Sequence, residues 1–211
     1  MRLDREARER LVRALAASMI EHAEELTSLD QAIGDGDHII NLLRGMGALA
    51  GMREQIEGES FAPALKLAAT KVLSTVGGSS GPLFFSMLTG MAKTPTDDAG
   101  VAAVARAFAA GVDAVGQRGK TGIGSKTMMD VLIPVAERFT AMADALASKK
   151  EILEALPRIA EESMLATRDM LATKGRASFL GERSRGHVDP GARSSQLMIE
   201  AVCARLAQGD A

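Results

Sequence analysis

A chain of 211 residues and 22.1 kDa, 46% hydrophobic and 25% charged, can bury a sizeable core and is too apolar to stay disordered. Its 25 basic and 27 acidic side chains leave a net charge of −2, with 3% aromatics and neither Trp nor Tyr, so the basic surface and stacking platforms of a nucleic-acid binder are missing. No apolar run of about 18 residues is free of charge, which excludes a membrane span, and the charged start MRLDREARER does not read as a secretory signal.

Apolar residues recur every three or four positions almost throughout, as in Leu3, Ala7, Leu11, Leu15 and Met19, and set one apolar stripe along a helix. Strand patterns are nearly absent. Start and stop signals divide the chain into about eight helices, over 4–26, 39–54, 60–76, 82–92, 97–117, 127–146, 149–173 and 192–207. Asp4, Ser60, Ser80, Thr96 and Ser148 stand where an N-cap side chain would accept free backbone N–H groups, and Pro82 suits a first helical turn. Pro134 and Pro157 fall inside their segments, and each is expected to kink or divide its helix. The expectation is an all-α, up-and-down arrangement in a single domain over 1–211. The lone cysteine, Cys203, lies in the apolar helical stretch MIEAVCARLA, so no intrachain disulfide can form. It reads as core packing in a reducing, cytoplasmic compartment.

The stretches between helices are chemically unlike them. Those at 27–38, 77–81, 118–126 and 174–191 concentrate Gly, Asp, Arg, Lys and two of the three His residues. They follow the first, third, fifth and seventh helices, which in an up-and-down arrangement places all four at one end. One shared site is the expectation.

Within that set the sharpest signal is LDQAIGDGDH, which packs Asp30, Asp35 and Asp37 into eight residues. Carboxylates this close repel one another unless a cation sits among their oxygens. Gly34 and Gly36 flank Asp35 and free the backbone to turn. An EF-hand is excluded, because the closing Glu of its loop falls on Asn41 counted from Asp30 and on Met46 counted from Asp35. Magnesium, held by a few carboxylates and completed by water and phosphate oxygens, suits a short acidic loop of this kind. The stretch GGSSG before Pro82 could bring backbone N–H groups to an anion, though a Gly-rich turn between helices explains it equally. GKTGIGSKT misses the P-loop pattern, since Ser125 separates Gly124 from Lys126 and no buried strand precedes it. The last loop carries Lys174, Arg176, Arg183, Arg185 and His187, a density that could neutralise phosphates or simply be solvated. His22 reads as a helix C-terminal residue, no pair of His residues has zinc-ligand spacing, and no Gly-x-Ser-x-Gly elbow is present.

Taken together, LTSLDQAIGDGDH, STVGGSSGPLF, RGKTGIGSKTMMD and KGRASFLGERSRGHVDPGA, in this order from residue 26 to 192, resemble the L subunit family of dihydroxyacetone kinases. The resemblance implies an antiparallel up-and-down barrel of eight helices that holds ADP or ATP at one end through two Mg²⁺ ions. By motif it implies Asp30, Asp35 and Asp37 as metal ligands, with His38, Asn41, Ser79 and Ser80 on the phosphate side. Gly119, Met128, Asp189, Pro190 and Gly191 correspond to positions around the base and sugar, and Arg176 to a phosphate-contacting arginine that acts in catalysis. Two places depart from the family pattern. Ile39 stands where Gly usually follows the His, and its bulk is expected to narrow the backbone's approach to phosphate. Ile123, Gly124 and Ser125 replace Pro-Gly-Asp, which removes a carboxylate next to Lys126.

The activity so implied is phosphoryl transfer to dihydroxyacetone or a related short ketose held by a partner K subunit. The donor is either exchanging ATP or a retained ADP rephosphorylated by a phosphotransferase-system protein. Two alternatives stand beside it: a non-catalytic nucleotide- or partner-binding module of the same fold, and a kinase subunit for another small acceptor such as a tetrulose or a fatty acid. Neither nucleic acid nor membrane is an expected partner.

Overall fold

The computed structural model describes residues 5–52, 54–56, 58–94 and 100–209, so the expected caps at Asp4 and Thr96 lie outside it. Nine α-helices run in chain order among the described residues: α1 (Arg5–Glu21), α2 (Ala23–Ile33), α3 (His38–Ala50), α4 (Phe61–Thr75), α5 (Ser80–Met91), α6 (Val101–Gly119), α7 (Met129–Asp144), α8 (Lys149–Ala166) and α9 (Pro190–Ala207). Two 3₁₀ segments, Thr167–Asp169 and Arg176–Ser184, lie between α8 and α9, and no strand is present among these residues. None of the helices is long and apolar enough to cross a membrane.

From α3 to α9 each helix packs on the next, and α1 packs on both α9 and α3, which closes an eight-membered ring. Successive neighbours joined by short connectors alternate in direction, giving the expected up-and-down barrel. The ninth helix, α2, stands apart from that sequence of neighbours and lies against α3, α9 and the Arg176–Ser184 segment. Three apolar clusters fill the ring. Val131, Val135, Ile152, Leu156, Met164 and Cys203 join α7, α8 and α9. Met19, Leu26, Ile39, Leu42, Met46 and Leu197 join α1, α2, α3 and α9. Val112, Val115, Met129, Leu132 and Ala136 join α6 to α7. Cys203 packs as expected, and burial pushes its thiol up to about 11.

The boundaries differ from the expected ones for physical reasons. The segment 4–26 breaks at His22, whose φ of −103° and ψ of 17° leave the helical region. Helix then resumes and runs to Ile33, because Leu26, Asp30 and Ile33 fall on one buried face; most of the stretch expected as a loop at 27–38 is therefore helical, and only 34–37 remains a connector. The helix expected over 149–173 stops at Ala166, where Thr167 is wholly buried and turns its hydroxyl back to the Met164 carbonyl at 2.7 Å. Ser148 forms a full capping box with Glu151. Ser60 holds an N-cap position without a side-chain bond, and Ser79 rather than Ser80 precedes α5. Pro134 and Pro157 lie inside α7 and α8 without dividing them. Each removes one backbone bond, and core residues on both sides, Val131 with Val135 and Leu156 with Ala160, keep the two halves on the same apolar face.

Besides the burial of Leu26 and Ile33, a fork of hydrogen bonds ties α2 to the barrel. Arg193 of α9 reaches Glu25 through Nε at 2.7 Å and Nη2 at 2.8 Å, while its Nη1 donates to Gln196 Oε1 at 2.5 Å. The Arg193 hydrogen bond holds the Glu25 carboxyl below its ordinary value. A double-mutant cycle of Glu25→Gln and Arg193→Met is expected to give a coupling of about 0.5–1 kcal/mol. Amide exchange in each single variant should quicken along 23–33 before it does along α4 and α5; uniform quickening would rule out this local role.

Candidate functional site

The connectors 34–37, 76–79, 120–128 and 167–189 meet at one end of the barrel, as loop order predicts. Arg176 Nη2 lies 2.9 Å from Asp35 Oδ2 and joins the fourth connector to the first. Thr173 N–H donates to the Ser125 carbonyl at 3.2 Å and joins the fourth to the third. A Cβ on Gly78 would lie 3.8 Å from Asp37 Oδ2, so the second abuts the first.

At the centre of this junction are the three aspartates. Asp30, in the last turn of α2, is 5% exposed, and its Oδ2 accepts the His38 backbone N–H at 3.0 Å. Gly34 is required there, because a Cβ would run into Asp30 Oδ1. Gly36, at φ +79°, turns the chain back so that Asp35 and Asp37 face Asp30. One oxygen of each carboxylate lies within 4.8 Å of the other two. An all-oxygen donor set on a rigid turn suits a hard divalent cation. The Arg176 guanidinium already answers part of this negative charge at Asp35, although its side chain is 68% exposed.

Around the cluster, His38 opens α3 and its Nε2 lies 2.9 Å from Ser194 Oγ of α9, which in turn donates to the Gly191 carbonyl at 3.1 Å. Burial pushes the imidazole below its ordinary value, against the pull of Asp30, Asp37 and Asp35 and a backbone hydrogen bond at Pro190. Asn41 is buried one turn later; its Oδ1 accepts from Arg44 Nη1 at 3.3 Å and would stand 2.9 Å from a Cβ on Gly77. Ser79 is exposed in front of α5, with no cap bond from its side chain, and Ser80 begins that helix. In this first turn Pro82 has no N–H and that of Leu83 donates to the Ser79 carbonyl at 3.4 Å, which leaves the N–H groups of Ser80 and Gly81 for an anion.

On the other side, Gly119 ends α6 with Leu83 beside it, since a Cβ would stand 3.6 Å from Leu83 Cδ2. Leu83 and Met128 pack on the same apolar cluster, and a Cβ on Gly191 would lie 3.5 Å from Met128 Cβ. Gly119, Met128, Pro190 and Gly191 thus border one region. Asp189 is also here, but its carboxylate is turned inward: it N-caps α9, with Oδ2 accepting the Ala192 N–H at 2.7 Å.

The structure corrects one expectation about the departures. Ile39 is 4% exposed and packs with Met19, Leu26 and Leu42, so its bulk faces the core rather than a phosphate. Ile123 is 61% exposed. A carboxylate that sequence reading missed, Asp130 in the first turn of α7, braces the third connector: its Oδ1 accepts the Gly124 N–H at 2.5 Å and its Oδ2 the Thr127 N–H at 2.7 Å. Lys126 and Thr167, both wholly buried, were missed as well. Lys126 donates to backbone carbonyls, which every residue type supplies, so no spacing in the sequence marks it.

Residues 32–204 match the family model described as the DAK2 domain. The chain is 40% identical over 180 residues to the PEP-dependent dihydroxyacetone kinase, ADP-binding subunit DhaL, of Escherichia coli, covering 84% of this chain and 86% of that one. It is 37% identical over 183 residues to the ADP-binding subunit DhaL of PEP-dependent dihydroxyacetone kinase 1 from Listeria innocua, covering 86% and 87%. Among solved structures, the dihydroxyacetone kinase from C. freundii in complex with AMP-PNP and Mg²⁺ superposes with a TM-score of 0.71 at 22% identity. That likeness covers 96% of this chain and 34% of that one, so the chain spans about a third of its length, and what it carries is the fold.

The Asp189 carboxyl supplies a pH test. Burial pushes it from 3.8 up to about 7, with Asp130 adding to the rise and the Ala192 N–H and Lys126 opposing it. Between those values the folded chain keeps a proton that the unfolded chain has released, so this group's contribution to stability falls as pH rises and levels off above about 7. Asp189→Asn keeps a capping side chain and removes the titration. The unfolding midpoint of the wild type relative to Asp189→Asn is expected to decline from pH 4 to 7; a constant difference would contradict the assignment.

Proposed function

The chain belongs to the DAK2 domain family, and from that membership we propose that it is the ADP/ATP-binding, phosphoryl-donating subunit of a two-component dihydroxyacetone kinase. The observation that carries this reading is the convergence of three carboxylate oxygens within 4.8 Å at the end where all four connectors meet. Asp30, Asp35 and Asp37 are the groups to hold Mg²⁺, two ions in this reading. Once bound, the metal neutralises phosphate charge and orients the phosphoryl group.

The chain's own residues account for the rest. His38 and Asn41 at the start of α3, with Ser79, Ser80 and the first-turn N–H groups of α5, take the phosphates from two sides. Gly119, Met128, Pro190 and Gly191 border the base and sugar, while Asp189 fixes the turn that carries the last two. Arg176 has its guanidinium at Asp35, and in this reading it adds positive charge at the transferred group. Phosphoryl transfer asks for positioning and charge neutralisation more than for covalent chemistry, and no nucleophile is needed here. The acceptor hydroxyl belongs to a ketose held by a separate K subunit.

The relatives named above are PEP-dependent. This favours a retained ADP that is rephosphorylated in place, through a phosphotransferase-system protein, over free exchange of ATP.

Calorimetric titration of ADP with and without Mg²⁺ tests the reading, together with phosphate transfer to dihydroxyacetone in the presence of a K subunit. Asp35→Asn is expected to lower Mg²⁺-dependent ADP affinity by roughly tenfold or more, about 1.4 kcal/mol, and to abolish transfer with the helical content unchanged. Equal affinity in variant and wild type would instead favour a scaffold that has no use for the carboxylate cluster.

A further inference from the structure

Lys126 is 0% exposed, the only fully buried lysine among the described residues, and its backbone sits in the left-handed region at φ 60°. Its Nζ lies 2.6 Å from the Thr167 carbonyl, 2.6 Å from that of His187 and 3.3 Å from that of Arg168. An ammonium has three N–H donors and no acceptor, and three carbonyls here take all three. A neutral amine would turn a lone pair onto one of them.

The position of those carbonyls gives the side chain its meaning. Thr167 and Arg168 stand where the fourth connector leaves α8, and His187 where it returns towards α9. Lys126 itself belongs to the third connector, two residues before Met128. One side chain therefore closes the neck of the fourth connector and fastens the third to it. Neighbouring bonds run the same way: Gly186 N–H donates to the Arg168 carbonyl at 2.9 Å and Asp189 N–H to Thr167 Oγ1 at 3.1 Å. Asp130 holds the Lys126 turn from below through the Gly124 and Thr127 N–H groups. Everything beyond the neck, including Arg176, and everything just after it, Asp189, Pro190 and Gly191, takes its place from this junction. Burying an ammonium is expensive compared with an apolar residue of similar size, and three directional bonds fix a register that apolar packing leaves loose.

We propose that Lys126 is a positioning residue for nucleotide binding: its ammonium locks the third and fourth connectors together, setting Met128 against Gly191 and Arg176 over the aspartate cluster. The proposal rests on the nucleotide-binding reading above, and the experiment separates the two. In ¹H–¹⁵N spectra of the uniformly ¹⁵N-labelled full chain, exposed ammonium protons exchange too fast to be seen, whereas that of Lys126 is expected to be protected and visible. On titration with ADP and Mg²⁺ its signal should shift in step with the backbone amides of 34–41. Amides that shift while the ammonium stays still overturn the proposal and leave nucleotide binding standing, as does the lack of a protected ammonium signal; no shift in either removes both. Lys126→Met, similar in length but without donors, is expected to raise the ADP Kd roughly tenfold and to speed amide exchange over 167–189 while α4 and α5 keep wild-type rates. Unchanged affinity in the folded variant, or exchange that rises evenly along the chain, would reduce Lys126 to a structural role.

Discussion

Carboxylate oxygens held within 4.8 Å of one another repel, and the open end of this barrel is organised around that repulsion. The chain meets it from two directions. A short Gly-rich turn brings Asp35 and Asp37 towards Asp30, and the fourth connector lays Arg176 against Asp35. A long, structured return between α8 and α9 follows from this geometry. A two-residue turn would close the ring equally well but could bring no cation across.

The separate helix α2 holds one member of this cluster in place. Asp30 is buried, so its carboxylate needs fixed donors and a fixed backbone. The His38 N–H provides the first, and docking of α2 through Leu26, Ile33 and the Glu25–Arg193 fork provides the second. An Asp30 on a loose loop could retreat into water and relieve the crowding. On a clamped helix it has nowhere to go.

Most of this was legible in the sequence where the signal is local or periodic. The all-α class, the shared end of the four connectors and the aspartate trio all follow from spacing, and the Ser148 cap from a short motif. What escaped depends on partners distant in the chain. The extension of helix through 27–33 was hidden by its polar residues, of which Asp30 turns inward while Ser28 and Gln31 stay exposed. Ile39 reads as bulk beside a phosphate until the phase of α3 is known, and that phase turns it inward. Lys126 was legible only as a neighbour of a missing acid, because its acceptors are backbone carbonyls 41, 42 and 61 residues away.

Closure of the ring between α1 and α9 has a bearing on assembly. Helix α9 contributes Leu197 to one core cluster and Ala192 and Cys203 to another, and it also carries Pro190 and Gly191. During synthesis the earlier helices therefore emerge with apolar faces uncovered until this stave of the ring arrives, and the junction proposed to hold the nucleotide is completed by that same event. Any molecule that binds there draws this stave into place, so ligand and folding are thermodynamically linked through one helix.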